Sequence, residues 1–416
     1  DLHSFPTRRS SDLEIYDFGK SADNRYSVAA DYLDLLGTEK LSATEVRQKF
    51  YELACDMDVS VGADATYVYL YGLNENMQPA LELLEDLMSN AKVDKEAYEA
   101  MVKKVLKNRE DAKKNQTGCF NHLLAYGIYG VRSSLSDVLT EKQLKETDPQ
   151  VFVDLLKNLS NYEHTANYYG PLSVDKISAL VDKYHKTAKK LQAVPQNNYY
   201  VKQEANQNEV WIAPFDAKNI YMRAYHNENR DWHVDEAAVM SLFNEYLGGG
   251  MNGLVFQEMR EARGLAYNAG AIYNQPNRKG ETESFFTHIV TQNDKMMDCI
   301  NHFKEIFDEM PASENAFNIA KEGLTKQLAS LRITKENIIY HWYAMKNLGF
   351  DFDFNKKIYE NLQKVTLQDI VDYEKANVAN KPLRYLILGD EKELDMEALE
   401  KIGPIRRLTI EEIFGY

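Results

Sequence analysis

The hydrophobic positions of the chain follow two periods, one typical of helices and one typical of strands. Between residues 79 and 88, apolar side chains recur at helical spacing. This stripe consists of Ala80, Leu84, Leu87 and Met88. Between residues 59 and 73 the pattern alternates instead, which predicts half-buried antiparallel strands. The positions that share one parity there are Val59, Val61, Tyr67, Tyr69 and Tyr71.

The pattern of the first half of the chain returns in the second half. Residues 32–88 predict, in order, a helix, a Leu-Gly stop, a helix, two strands and a helix, and residues 244–310 predict the same series. Residues 147–185 and 366–402 each predict a helix, a strand ending near a glycine and a closing helix. Because the offset is roughly 210–220 residues at both ends, the sequence predicts two similar domains in tandem.

Each copy is expected to be an α+β domain, in which helices cover one face of a mostly antiparallel sheet. The predicted domains span residues 14–186 and 210–416. Residues 187–209 contain few apolar side chains and are interpreted as a linker. This linker leads into an additional strand at 210–215, which begins the second domain. The first copy has no room for an equivalent strand.

The N-terminal segment does not fit this pattern. Residues 5–13, FPTRRSSDL, lack the hydrophobic stretch of a secretory signal peptide. They resemble the translation of a sequencing adapter, so we interpret residues 1–13 as an artefact and set them aside. On this interpretation the chain is a fragment whose natural start lies upstream, and both a periplasmic and a cytoplasmic location stay open.

Composition narrows the class of protein. The chain has 416 residues, of which 44% are hydrophobic and 27% charged, as in globular proteins. Its net charge of −15 argues against a nucleic-acid or anionic-membrane surface, and no apolar run reaches the ~18 residues of a membrane span. The three cysteines are far apart and form no CxxC pair, which predicts buried free thiols. They are Cys55, Cys119 and Cys299.

The most informative stretch is YLGGGMNGLVFQEMREARGLAYNAGAIY, residues 246–273. Glycines stop one helix, a second helix follows, and Gly264 stops that helix before a strand. The apolar stripe predicted for the second helix consists of Met251, Leu254, Val255, Met259 and Ala262. With the tandem repeat and the long C-terminal helices, this stretch resembles the pitrilysin/insulinase family of zinc peptidases, which includes the mitochondrial processing peptidase.

The resemblance covers about residues 14–416, and REARGLAY is its most specific part. It implies that the chain corresponds to the C-terminal half of such a peptidase. In this family that half holds no metal and closes a chamber with an N-terminal half, in which a His-x-x-Glu-His motif binds zinc. The implied partners are therefore the zinc-bearing half and a peptide substrate.

The zinc motif itself is missing from this chain. None of its nine histidines lies in an HxxEH or HExxH pattern. The aligned positions are Val28, Asp31 and Tyr32. His233 and Glu236 are followed by Ala237 instead of a second histidine, so we interpret this segment as a helix start. We expect no metal site in this chain, zinc in the partner half, and no peptidase activity from the chain alone.

The resemblance assigns the arginine and tyrosine of the family's C-terminal half to Arg260 and Tyr267. When zinc-bound hydroxide attacks a peptide carbonyl, negative charge develops on its oxygen. A phenol O–H can stabilise that charge and a guanidinium can hold a substrate carbonyl. Arg263 and Tyr273 are weaker candidates, interpreted as a surface charge and a packing residue. The small residues that would let a peptide backbone pair with this strand are Asn268, Ala269 and Gly270.

The sequence therefore predicts the non-catalytic half of a zinc endopeptidase, which binds peptide and supplies the Arg260–Tyr267 pair to the transition state. Two alternatives stay open. One is a catalytically inactive relative that serves as a structural or assembly subunit. The other is a separate substrate-binding subunit that pairs with a zinc-bearing chain. The presence of both Arg260 and Tyr267 favours a role in peptide cleavage, because a scaffold needs neither.

Overall fold

The computed structural model of the chain describes residues 9–335 and 337–416. The strands are β1 (Arg9–Tyr16), β2 (Gly37–Thr38), β3 (Cys55–Val61), β4 (Thr66–Leu73), β5 (Ala91–Lys92), β6 (Thr165–Tyr169), β7 (Glu209–Pro214), β8 (Asn219–Asp231), β9 (Asn268–Asn274), β10 (Thr282–Gln292), β11 (Arg384–Gly389) and β12 (Ile405–Arg407).

The α-helices are α1 (Arg25–Leu33), α2 (Ala43–Glu52), α3 (Met77–Asn90), α4 (Lys95–Lys113), α5 (Gln116–Tyr129), α6 (Glu141–Glu146), α7 (Gln150–Asn158), α8 (Val174–Tyr184), α9 (Ala237–Gly248), α10 (Leu254–Phe256), α11 (Met296–Asp308), α12 (Glu314–Ser330), α13 (Asn337–Asn347), α14 (Phe354–Leu362), α15 (Leu367–Asn377), α16 (Met396–Ile402) and α17 (Ile410–Phe414). A π-helix, Gln257–Ala262, continues α10.

The chain divides into two compact units. The first contains residues through Asp111, Arg132–Tyr200 and Tyr416, and the second contains Ala112–Val131 and Val201–Gly415. Helix α5 thus belongs to the second unit, although it comes from the first half of the chain. The division after Tyr200 lies inside the segment interpreted as a linker, and the predicted domain boundaries at 186 and 210 stay predictions.

The first unit is built on a four-stranded antiparallel sheet with the order β3-β4-β1-β6. Strand β4 buries Thr66, Val68 and Leu70 on one face. Tyr67 and Tyr69 face the other way, with ring centroids 5.8 Å apart. The buried face packs with α1, α3 and α7 into one apolar core. As predicted, the apolar stripe of α3 lies within this core.

Strand β1 includes residues 9–13, which belong to the N-terminal segment interpreted from the sequence as an artefact. Residues 9–13 had been set aside with the rest of the N-terminal segment, but they form the first part of β1. They pair with β4 from Arg9 opposite Leu73 to Leu13 opposite Tyr69. Strand β1 is bonded to β4 on one side and β6 on the other, so residues 9–13 occupy a place in the sheet, and their interpretation as an artefact stays a prediction. Residues 1–8 lie outside the described part of the chain.

The second unit is built on a six-stranded sheet with the order β12-β7-β11-β8-β10-β9. Four neighbouring strands, β11-β8-β10-β9, repeat the order β6-β1-β4-β3 of the first unit. The prediction of two tandem α+β domains with related, mostly antiparallel sheets is therefore confirmed. Strand β7 is the additional first strand predicted at 210–215, and it pairs in parallel with β11 and β12.

Helices α9, α12, α14 and α15 pack together in the second unit, over a core that includes Phe243, Leu247 and Phe285. On the other face, α5 lies against β11, where a side chain on Gly127 would overlap Leu386. All three cysteines are buried free thiols, as predicted. Among the described residues, no helix is both long and apolar enough to cross a membrane.

Candidate functional site

The site predicted from the sequence lies where the chain passes from α9 to β9. Helix α9 ends at Gly248, which lies so close to the carbonyl oxygen of Ala271 in β9 that a side chain there would collide with it. The chain then turns and enters α10 and the π-helix. Gly264 ends that helix in the left-handed conformation, with φ +58°. The predicted order of helix, glycine stop, helix and strand is confirmed.

The π-helix changes which side chains face the core. Val255 and Met259 are fully buried, as the predicted apolar stripe requires, but Met251 is 72% exposed and Ala262 is also exposed. The prediction was wrong for these two residues. It assumed 3.6 residues per turn throughout, whereas Met251 lies in the preceding turn and the wider π-helical turns shift the phase from residue 257 onward.

Arg260 and Tyr267 lie side by side on the surface. Arg260 is exposed, and the ring of Tyr267 is 79% exposed. The guanidinium carbon of Arg260 lies 5.6 Å from the centroid of the Tyr267 ring and 5.0 Å from that of Phe256. Cation–π contacts of this kind stabilise the position of an exposed guanidinium by about 0.5–1 kcal/mol. The backbone N–H of Tyr267 donates to the carbonyl of Val290 at 3.1 Å, so the sheet fixes the position from which the ring projects.

The residues predicted to bind substrate lie in β9, which is the edge strand of the sheet on this side. Asn268 is exposed, and a Cβ atom on Gly270 would have no heavy atom within 4 Å. Ala269 points into the core instead. Only alternate side chains of β9 therefore face outward, and Ala269 can contribute only its backbone.

The two weaker candidates have the surroundings expected of a surface charge and a packing residue. Arg263 lies 4.0 Å from the carboxylate of Glu258 and 3.9 Å from that of Glu305. Tyr273 is buried, and its hydroxyl donates to Glu283 at 3.1 Å. Unlike Tyr267, Tyr273 is buried, and the exposed Arg263 lies beside two carboxylates.

The positions aligned with the zinc motif lie on α1 and hold no imidazole. Val28 is half-buried and Asp31 is exposed. Tyr32 is buried and donates to the carbonyl of Asp94 at 2.6 Å. His233 precedes a helical turn at Val234–Glu236, and Glu236 pairs with Arg230 at 2.7 Å. The interpretation of this segment as a helix start is therefore supported.

One group of side chains was not anticipated from the sequence. Glu14, His164 and His185 bring ligand-type atoms within 4.8 Å of one another. The expectation of no metal site in this chain rested on short motifs, and these residues form none. They come from β1, the segment before β6 and the segment after α8, so only the fold brings them together.

Comparison with known families identifies the class of protein. Residues 29–136 match the family described as insulinase (peptidase family M16), and residues 165–324 match the peptidase M16 inactive domain. The chain belongs to the insulinase family and contains a domain of the inactive type. The resemblance inferred from the sequence is thereby confirmed.

Individual relatives agree with this assignment. An "uncharacterized zinc protease" of Rickettsia felis is 22% identical over 389 residues, which is 88% of this chain and 86% of the relative. A peptidase M16 inactive domain from Pseudomonas fluorescens superposes with a TM-score of 0.73 and 16% identity, over 92% of this chain and 94% of that one. The periplasmic protease PqqL from Escherichia coli gives a TM-score of 0.73 and 12% identity, over 93% of this chain but only 44% of PqqL. At these identities, the two structures show a shared fold alone.

Proposed function

We propose that this chain is the non-catalytic half of a zinc endopeptidase, which closes the chamber, binds the peptide and supplies Arg260 and Tyr267 to the transition state. The observation that carries the proposal is the exposed pair of these two side chains at the start of an edge strand. Zinc is expected in the partner half, where it would activate the attacking water.

The residues of this chain would act on the substrate in two ways. The hydroxyl of Tyr267 would donate to the carbonyl oxygen as negative charge develops on it, and loss of one such donor typically costs about 10²–10³ in rate. The guanidinium of Arg260 would donate to a substrate carbonyl in the ground state as well as in the transition state.

Strand β9 would bind the substrate backbone. An extended peptide can add to an exposed strand edge, where main-chain hydrogen bonds supply affinity. Next to β9, Ile272 and Phe286 line a cavity of about 530 Å³ together with Tyr129 and Lys202. An apolar substrate side chain with a polar end would fit this lining.

The test is steady-state kinetics on a quenched fluorescent peptide, with the zinc-bearing half supplied. Tyr267→Phe should lower kcat by about 10²–10³ with a smaller effect on KM, because it removes a donor used mainly in the transition state. Arg260→Ala should also raise KM. Tyr359→Phe and Arg263→Ala are the matched controls, since both positions are exposed but lie outside the proposed site. Parent-like turnover by Tyr267→Phe would contradict the proposed role.

The same experiment addresses the alternatives. A structural or assembly subunit would bind its partner without raising the rate of cleavage. A separate substrate-binding subunit would raise it when added as its own chain. The match over 94% of the Pseudomonas fluorescens domain and the match over 44% of PqqL are compatible with a separate chain and with one half of a longer peptidase.

A further inference from the structure

We propose that Glu14, His164 and His185 form a binding site for one divalent transition-metal ion in the first unit. Glu14 belongs to β1, His164 immediately precedes β6, and His185 immediately follows α8. Their possible ligand atoms lie within 4.8 Å of one another.

The hydrogen bonds of the two histidines determine which nitrogen atoms are available as ligands. His164 Nδ1 lies 2.8 Å from the carbonyl oxygen of Tyr162, which can only accept, so this nitrogen carries a proton. His185 Nδ1 lies 2.7 Å from Glu85 Oε1 and 3.0 Å from Glu14 Oε1, so it is the protonated nitrogen when both carboxylates are ionised. In the neutral form of each ring, Nε2 is therefore an acceptor.

These two Nε2 atoms face each other at 2.9 Å. Two acceptor nitrogens at this distance repel each other unless a cation or an added proton lies between them. A metal ion suits the arrangement because metal-bound histidine usually donates its other N–H to a carboxylate or a backbone carbonyl. Glu85 and the Tyr162 carbonyl occupy those positions here.

Glu14 supplies the third ligand atom. Its Oε2 accepts from the hydroxyl of Tyr16 at 2.8 Å, which fixes the carboxylate. Glu85 lies closer to His185 Nδ1 than Glu14 does, so it can accept that proton alone. The Glu14 carboxylate would then turn from Nδ1 toward the two Nε2 atoms to bind the metal. Two imidazoles and one carboxylate suit Zn²⁺ or Fe²⁺, whereas Mg²⁺ and Ca²⁺ prefer sites made only of oxygen.

The distances and the enclosure favour a structural metal. Zn–N bonds of about 2.0–2.1 Å in a tetrahedral site separate two ligand nitrogens by about 3.3 Å, so the rings need to part by only about 0.4 Å. The side chains of Glu14, Glu85 and His185 are at most 13% exposed. The adjoining cavity of about 20 Å³ has room for about one water molecule, not for a peptide. A metal here would tie the end of α8 to β1.

The competing explanation is a proton. If one histidine is an imidazolium, its added proton can lie between the two Nε2 atoms, and its charge can pair with Glu14 and Glu85. The two explanations differ in whether the folded chain takes up a metal.

The experiment uses the untagged full chain, stripped with EDTA and titrated with Zn²⁺, with metal content measured after desalting. One Zn²⁺ per chain is expected, with no uptake of Mg²⁺. X-ray absorption at the zinc edge should show two imidazole nitrogens as ligands. The remaining ligand atoms should be oxygen or nitrogen, with no sulfur. No uptake at micromolar Zn²⁺ would overturn the proposal in favour of the proton, and sulfur ligands would overturn it in favour of a cysteine site.

Variants assign the ligands. His164→Gln and His185→Gln should each weaken Zn²⁺ binding at least 100-fold, while His233→Gln, at an exposed histidine of the second unit, should bind like the parent. Glu85→Gln should retain one Zn²⁺ with about 10–100-fold weaker affinity, as expected for a residue that orients a ligand. Circular dichroism in EDTA is the folding control. Parent-like binding by a folded His164→Gln would refute the site, and if neither histidine variant folds, the absorption spectrum of the parent decides.

Discussion

A buried glutamate in α15 allows a prediction of how stability depends on pH. Glu374 is only 2% exposed, and its Oε1 has no hydrogen-bond partner among the described residues. Burial raises the pKa of this carboxyl from 4.5 to about 7, although Lys375 works in the opposite direction. The folded protein therefore holds a proton on Glu374 under conditions in which the unfolded chain has released it.

The sign and size of the effect follow from the two pKa values. The pKa of Glu374 is higher in the folded protein than in the unfolded chain. The contribution of this group to the free energy of unfolding is therefore fully present below pH 4.5 and is lost as pH rises through about 7. Each pH unit between the two values is worth about 1.36 kcal/mol. Glu374→Gln, which imitates the protonated carboxyl, should therefore stabilise the protein by about 1 kcal/mol at pH 5 and about 3 kcal/mol at pH 8.

The assay is urea unfolding of parent and variant at both pH values, followed by tryptophan fluorescence. All three tryptophans, Trp211, Trp232 and Trp342, lie in the second unit with Glu374, so the signal reports that unit alone. Glu400→Gln, at an exposed helical position, is the control and should change the free energy of unfolding by less than about 0.5 kcal/mol. Equal stabilisation at pH 5 and pH 8, or destabilisation at pH 8, would refute the reasoning.

Two further predictions concern glycines near the proposed site. Gly270→Val should leave the unfolding midpoint of the second unit nearly unchanged, because a Cβ atom at this position has no heavy atom within 4 Å. In the assembled peptidase it should raise KM about tenfold or more, because the side chain would obstruct the bound peptide strand. An unchanged KM would argue against peptide binding at β9. Gly248→Ala should lower the free energy of unfolding by about 1–3 kcal/mol, because the added methyl group forces α9 away from the Ala271 carbonyl. Gly323→Ala, inside α12 with ordinary contacts, should raise it by about 0.5–1 kcal/mol. Urea unfolding compares the two variants, and equal effects would contradict the predicted collision.

The sequence predicted the repeated elements because each is defined by nearby residues. The stripe of α3 and the glycine that ends the π-helix depend on neighbours within a few positions. The additional strand β7 was predicted for the same reason. The assignment of α5 to the second unit could not be predicted, because it depends on a close approach between Gly127 and Leu386, which are far apart in the sequence.

The two proposed sites show the same difference between signals carried by nearby residues and contacts between residues far apart in the sequence. Arg260 and Tyr267 were assigned through the resemblance of REARGLAY to the insulinase family, a signal contained within eight positions of the chain. The π-helical turn was not predicted, since no period in the sequence distinguishes it. Glu14, His164 and His185 carry no local signal at all, and only the pairing of β1 with β6 and the packing of α8 bring them together.

The exposure of Tyr267 separates the chemistry of the proposed site from the stability of the fold. With most of its ring in solvent, this residue contributes little buried apolar area, so the core does not account for a tyrosine at the start of β9. A scaffold would fold equally well with a small polar residue there. A Tyr267 variant that loses turnover at an unchanged unfolding midpoint would therefore locate the defect in the site. In a subunit that only supports assembly, the same variant would change neither the turnover nor the unfolding midpoint.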